Sequence, residues 1–310
     1  MLRWTRLLVF AVAALVIAAG SCQAATKIVL GYTGVTSYLP GLVAVDEGFF
    51  AKRGLDVEPK LIALNSLEPA ALMADSLQIA LPTVSVMLEA DAGGLDLIAI
   101  AGTSVTDPND PASLIFARTG SGIKTAKDLI GKRFGVPGIN ALVHVLVREW
   151  LRRNGVDYNK VQFIEAPFPR MSDMLRTSMI DAVSATDPFS GRILADKTGY
   201  PIGHLYRDLP AGIRTSVYAT TRAWADSHRD AVKAFQAGLD EGKAFVETHP
   251  EAYKAAAAKY FKLPPAAINN LVMPPLDNVV TTEQIDFWIK LMTEQGLLKS
   301  HLDAASLVFH

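Results

Sequence analysis

A chain of 310 residues is long enough for two domains of ordinary size. Half of it is hydrophobic and a fifth is charged, which excludes a disordered or fibrous protein. The formal net charge of −1 offers no basic surface for nucleic acid, and one cysteine, Cys22, excludes a disulfide scaffold.

The first 24 residues have the layout of a secretory signal peptide. Arg3 and Arg6 precede the apolar run Leu7 to Ala19, and small residues follow from Ser21 to Ala24. The run is shorter than the ~20 residues that span a bilayer, so cleavage near Ala24 and export to the periplasm are expected. Without Arg3 and Arg6, Lys+Arg falls from 30 to 28 against 31 Asp+Glu, a net charge of −3. Cys22 could carry a lipid anchor, but Ala19 stands where the leucine of a lipobox is usual, and the unanchored form is expected.

Short apolar strands then alternate with helices. Lys27 to Leu30 is a strand and a polar loop carries Thr36, Ser37 and Tyr38. A helix with Pro40 in its first turn puts Leu42, Val45 and Phe49 on one face. Gly54 stops it, and Leu55 to Val57 begins the next strand. Free N–H groups at the start of that helix place Thr36, Ser37 and Tyr38 where an anion or electron-rich ligand would be held. Leu61 to Leu64 ends the second strand, Asn65 and Ser66 cap a helix reaching about Asp75, and Leu77 to Leu81 is a short buried strand. Thr83 opens another helix. Leu95 to Ala101 is continuously apolar, the pattern of a strand buried on both faces of a parallel sheet.

The turn-rich segment Asp107 to Pro111 breaks this rhythm. It lacks the Gly and distal Glu of a calcium loop and reads as a connection. Ser113 to Ala117 opens a second run of the same style. It comprises a short helix Thr125–Ile130, a strand Arg133–Val136, a loop Pro137–Ala141 and a helix Leu142–Asn154. A strand Lys160–Glu165, a helix Ser172–Thr177, and strands Ile180–Ala185 and Ile202–Leu205 follow. Gly120 to Thr125 lacks the Gly-Lys-Ser/Thr ending of a phosphate loop. From Thr215 onward one strand precedes four helices, Arg229–Thr248, Pro250–Phe261, Pro265–Val272 and Thr282–Gln295. This order predicts an α/β protein with an inserted second domain: residues 25–115 with 215–310 form one lobe and 116–214 the other. Crossings near Phe116 and Ile213 would act as a hinge, with a small-ligand cleft between the lobes.

Three segments stand out together. Asp46 to Val57 (DEGFFAKRGLDV) resembles the hallmark of the periplasmic solute-binding proteins of nitrate, sulfonate and taurine transporters, a superfamily that includes the thiamine-pyrimidine-precursor (NMT1/THI5-like) binders. Gly122 to Val136 looks like the opening of that family's second domain, and Ser178 to Val183 followed by Asp187-Pro188 like its third landmark. The resemblance implies a two-lobed periplasmic-binding-protein type II fold, each lobe a sheet flanked by helices. It also implies a monomer without a cofactor that delivers a small ligand to an ABC transporter permease.

Carried over from the family, the ligand loops are Thr36, Ser37, Tyr38, Asn65, Ser66, Thr83, Gly138, Ile139, Asn140, Ala141 and Asp187. Arg214, near the second crossing, could counter a carboxylate, or be an exposed hinge arginine. Thr36, Ser37, Thr83 and Asn140 could equally be helix caps, Tyr38 a packing wedge, and Asp187 a hinge residue. One departure from the family bears on the ligand: Gly138 to Leu142 is mostly apolar where oxyanion binders carry several Ser or Thr. An organic acid or sulfonate-like ligand with an apolar body fits better than nitrate. The rival class is an exported enzyme or ligand sensor acting on a pyrimidine or similar molecule. No cysteine follows residue 22 to serve as a nucleophile, no G-x-S-x-G elbow occurs, and the six histidines lack metal spacing, so no catalytic residue or metal ligand is expected.

Overall fold

The computed structural model describes residues 24–262 and 265–310; nearly all of the expected signal segment, with Cys22, lies outside them. β1 (Thr26–Tyr32) buries Ile28 and Leu30 while Lys27 and Val29 turn outward, and it pairs in parallel with β2 (Leu55–Leu61). Between them the helix Leu39–Asp46 carries Pro40 in its first turn, and Gly54, at φ +74°, turns the chain into β2. The strand–helix–strand order is as expected, but the helix ends at Asp46, short of Phe49, and Gly54 instead closes a 3-10 turn over Ala51–Arg53.

The next strands depart from expectation. Leu77 to Leu81 forms no strand of its own. It makes single bridges, Ile79 to Leu30 in parallel and Ala80 to Ala219 antiparallel, and these tie β1 to β9 (Val217–Thr221). β3 (Leu97–Gly102) is buried along its whole length as predicted, but it pairs antiparallel with β9, not within a parallel sheet. Continuous apolarity reports burial on both faces and says nothing of strand direction. The first sheet thus runs β2, β1, the bridge at 79–80, β9 and β3.

Residues 114–204 supply every strand of the second sheet: β4 (Leu114–Arg118), β5 (Arg133–Val136), β6 (Gln162–Glu165), β7 (Ala182–Ala185) and β8 (Gly199–His204). Their order is β6-β5-β7-β4-β8, parallel from β6 to β7 and antiparallel on either side of β4. The helix Leu142–Arg153 packs its apolar face here, with Val145, Leu146 and Leu151 essentially inaccessible.

Two connecting segments join the sheets and lie side by side. The Thr106 N–H donates to the Ile213 carbonyl at 2.8 Å, the Thr215 N–H donates to Ser104 at 3.1 Å, and Ser104 Oγ lies 2.7 Å from Thr215 Oγ1. Phe116 itself lies inside β4 and is fully buried. A third segment joins this ladder. The helix expected over 265–272 ends at Asn269, and the prolines at 274 and 275 carry the chain away extended. Gly102 then donates to Asn278 at 2.8 Å, Asp277 to Thr103 at 3.0 Å and Val105 to Pro275 at 3.0 Å.

The C-terminal helices pack back on the first sheet. Along Arg229–Thr248 the buried set Ala231, Val232, Phe235, Gly238, Leu239, Gly242 and Val246 follows helical spacing. Phe235 stacks on Phe50 with centroids 4.7 Å apart. A Cβ on Gly238 would sit 2.5 Å from the Phe50 ring and one on Gly242 2.6 Å from the Pro40 carbonyl, so the two helices touch through bare backbone. The helix Thr282–Glu294 starts in a reciprocal cap between Thr281 and Gln284 and buries Trp288 completely. No helix among the described residues is long and apolar enough to cross a membrane.

Candidate functional site

The turn Thr36–Tyr38 runs straight into the helix Leu39–Asp46, without a side-chain cap. Tyr38 is buried, and its hydroxyl donates to the Leu81 carbonyl at 2.8 Å and lies 3.3 Å from Ser216 Oγ. Asn65 joins the same carbonyl through Nδ2 at 3.0 Å, while its Oδ1 accepts the Thr83 N–H at 2.8 Å. Tyr38, Asn65 and Thr83, far apart in sequence, therefore meet around Leu81. Thr36 is buried, and its carbonyl accepts the Tyr253 hydroxyl at 3.1 Å. Ser37 is half-buried, and Ser66 faces solvent. Thr83 Oγ1 lies 3.2 Å from Ser85 Oγ, and no capping bond from Thr83 forms at its helix.

From the second sheet, the loop Gly138–Ala141 approaches the helix Val84–Ala92. Asn140, at φ +61°, donates through Nδ2 to Glu89 Oε1 at 2.6 Å and through its backbone N–H to His144 Nδ1 at 2.9 Å. Ile139 is partly exposed and donates its N–H to Glu165 at 3.0 Å; Gly138 and Ala141 are buried. Asp187 accepts from Ser190 Oγ at 2.8 Å and from the Val272 N–H at 3.3 Å, which ties the second sheet to the extended C-terminal segment. Phe189, two residues on, stacks on Phe168 at 5.3 Å, and a Cβ built on Gly34 would lie 4.0 Å from its ring.

Arg214 is not in this company. Its side chain is fully buried in the connecting ladder, bonded to Asp277 Oδ2 at 2.7 Å and to the carbonyls of Asp277 and Val279. Its own carbonyl accepts the Trp288 indole N–H at 2.7 Å. Arg214 is thus neither a free counter-charge for a ligand carboxylate nor an exposed hinge arginine: it is buried and neutralised within the ladder.

Sequence reasoning missed Glu68. It is fully buried, and Oε2 accepts from Asn65 Nδ2 at 2.9 Å while Oε1 has no partner. Burial pushes its carboxyl well above the usual carboxylate range. Burial, then the Glu68 charge, raises the Tyr38 hydroxyl. Burial also raises Asp187, and no cation offsets it. The Asn65-x-x-Glu68 spacing was the available signal, but it reads as a helix start, where a Glu is normally exposed beside the helix dipole. Tyr253, Phe189 and Glu89 were missed as well, because only the tertiary fold brings them to these loops. No group of three or more His, Cys, Asp or Glu that could hold a metal occurs among the described residues.

A cavity of about 290 Å³ lies beside Asp187, lined by Asp107, Asp110, Glu247 and the segment Val272–Leu276.

Comparison with known proteins places this geometry. The chain is 24% identical over 287 residues to the nitrate/nitrite binding protein NrtA of Synechococcus elongatus, covering 78% of this chain and 61% of that protein. It is 26% identical over 266 residues to the bicarbonate-binding protein CmpA of Synechococcus sp., covering 78% of this chain and 58% of that one. The chain thus spans about three fifths of the length of these relatives. Among solved structures, the alkanesulfonate-binding protein SsuA of Xanthomonas axonopodis pv. citri, bound to MOPS, superposes with a TM-score of 0.79 at 18% identity, covering 92% of this chain and 98% of that one. The two sheets and their paired connections are those of the periplasmic binding protein fold. With the NMT1/THI5-like family model matching residues 35–253, the chain belongs to the NMT1/THI5-like family of ABC-transporter solute-binding proteins.

Proposed function

We propose that this protein is an exported, monomeric solute-binding protein that captures a small organic ligand between two lobes and delivers it to an ABC transporter permease. Residues 25–115 with 215–310 make the first lobe and 116–214 the second, and the paired segments 104–106 and 212–215 act as the hinge. One observation carries the reading. Tyr38, Asn65 and Thr83 meet around Leu81 on the first-sheet side, and Asn140 and Asp187 on the second-sheet side bond across to Glu89 and Val272, so closure between these loops would enclose a ligand. The apolar Gly138–Ala141 loop supports an organic body over a small hydrated oxyanion.

Binding to the native state alone raises apparent stability, by about 2.7 kcal/mol at a hundredfold excess over Kd. A thermal-shift screen with organic acids, sulfonates, pyrimidines, amines and amides tests this. The protein should melt higher with one of these classes, and the ligand should be recovered chemically unchanged. No shift with any class at millimolar concentration would contradict binding, and product formation would favour an enzyme.

A further inference from the structure

The convergent loops carry acids and aromatic rings but no cation. Among the described residues, no Lys or Arg makes a hydrogen bond or ion pair with Tyr38, Asn65, Glu68, Thr83, Asn140 or Asp187. Arg214, the expected counter-ion, is held by Asp277. Two carboxyls instead flank the turn Thr36–Tyr38. Glu68 lies near enough to Tyr38 for its charge to be felt there, and Asp187 stands likewise to Tyr253, whose hydroxyl binds the Thr36 carbonyl.

Glu68 is the telling residue. An acid inside a first lobe with no cation beside it should be costly unless both oxygens are bonded. Oε2 is bonded to Asn65, whose amide also bonds the Leu81 carbonyl that the Tyr38 hydroxyl meets, whereas Oε1 is completely buried and unpartnered. Packing alone would be met as well by Gln or Met. A buried carboxyl with a free oxygen and no cation bonded to it suits an organic cation, by ion pairing and a charge-assisted hydrogen bond. The cavity lined by Val272, whose N–H bonds Asp187, is also lined by three further acids, Asp107, Asp110 and Glu247, which add to the negative field on that side.

We propose that the ligand is a small organic cation, an amine or amidinium, whose positive group is bound by Glu68 with Asp187 as a second anion. This rests on the solute-binding reading and replaces its anionic preference. A relative that binds nitrate, bicarbonate or a sulfonate must offset a negative charge, and among the described residues no Lys or Arg is bonded to these loops to do so. Burial raises the Glu68 carboxyl well above the usual range in the empty protein, and a bound cation favours its ionised form, so capture of a cation would be coupled to proton release.

The test is calorimetry on the purified protein with agmatine, choline and histamine, against taurine, nitrate and benzoate, in two buffers of different ionisation enthalpy. At least one cation should bind, with release of up to about one proton from Glu68. Glu68→Gln should weaken that cation tenfold or more and abolish the proton release, while leaving the circular dichroism of the empty protein unchanged. Asp187→Asn should weaken the cation but keep the proton release. Binding of an anion in place of the cations would overturn the inference and leave the solute-binding reading standing. Cation binding untouched by Glu68→Gln would also overturn it. Failure of all six probes would overturn the inference, and the broader thermal-shift screen then decides the solute-binding reading separately.

Discussion

His144 shows how one residue couples loop geometry to pH. Its ring is buried against Phe163 at 4.4 Å, and Nδ1 accepts the Asn140 N–H, a bond that only the neutral ring can make. Burial, with Arg148 nearby, lowers its pKa to about 4. The unfolded chain takes up this proton first as pH falls through about 6.5. The stability held by neutral His144 is therefore complete above pH ~6.5, declines as the medium acidifies, and is fully lost below pH ~4. The difference amounts to at most about 3 kcal/mol. Chemical denaturation of wild type and His144→Gln across pH 7 to 4 should show a steeper acid loss in the wild type; parallel curves would refute the assignment. The sequence placed His144 in its helix but gave no sign of the partner. Glu68 was hidden for the same reason: burial is a property of what packs around a residue, and Asn65-x-x-Glu68 looks identical on a surface helix.

Elements were readable where their causes are local. Pro40 in a first turn, Gly54 in a left-handed turn before β2 and the apolar stripe of Arg229–Thr248 all act within a few residues and stand as expected, although the helix that Gly54 was to stop already ends at Asp46. Pairing was not readable. β3 meets β9 more than a hundred residues away, and Leu77 to Leu81 supplies only two bridging residues because its neighbours in the sheet are themselves distant in sequence. No element was expected over 275–278, and its role in the ladder depends on Arg214, 63 positions from Asp277. This pair carries a prediction at the scale of the element. Asp277→Ala leaves the Arg214 charge buried and unpaired, which should cost about 3 kcal/mol, the lower end for breaking a buried pair because Asp277 is itself partly exposed. Urea denaturation checks it. Asp226→Ala, which removes a solvent-exposed partner of Arg229, should leave the midpoint unchanged and serves as the control.

At the scale of the molecule, extended segments laid side by side join the two sheets, and side-chain bonds such as Asn140 to Glu89 and Val272 to Asp187 bridge them. The family resemblance was legible from the run Asp46 to Val57, which builds the packing of the first helix against β2 and its neighbours and touches none of the proposed ligand contacts. What the protein binds was less legible, because it depends on which charges lie opposite one another after folding. Arg214 illustrates the point: a cation near the predicted hinge by sequence, it is consumed by Asp277 in the fold. The central claim, that a ligand is enclosed between two hinged lobes, is tested most directly by small-angle X-ray scattering of the purified protein with and without the ligand that raises its melting temperature. Closure predicts a smaller radius of gyration at saturating ligand, with the same mass as the unliganded monomer. An unchanged radius at saturation would contradict enclosure between moving lobes.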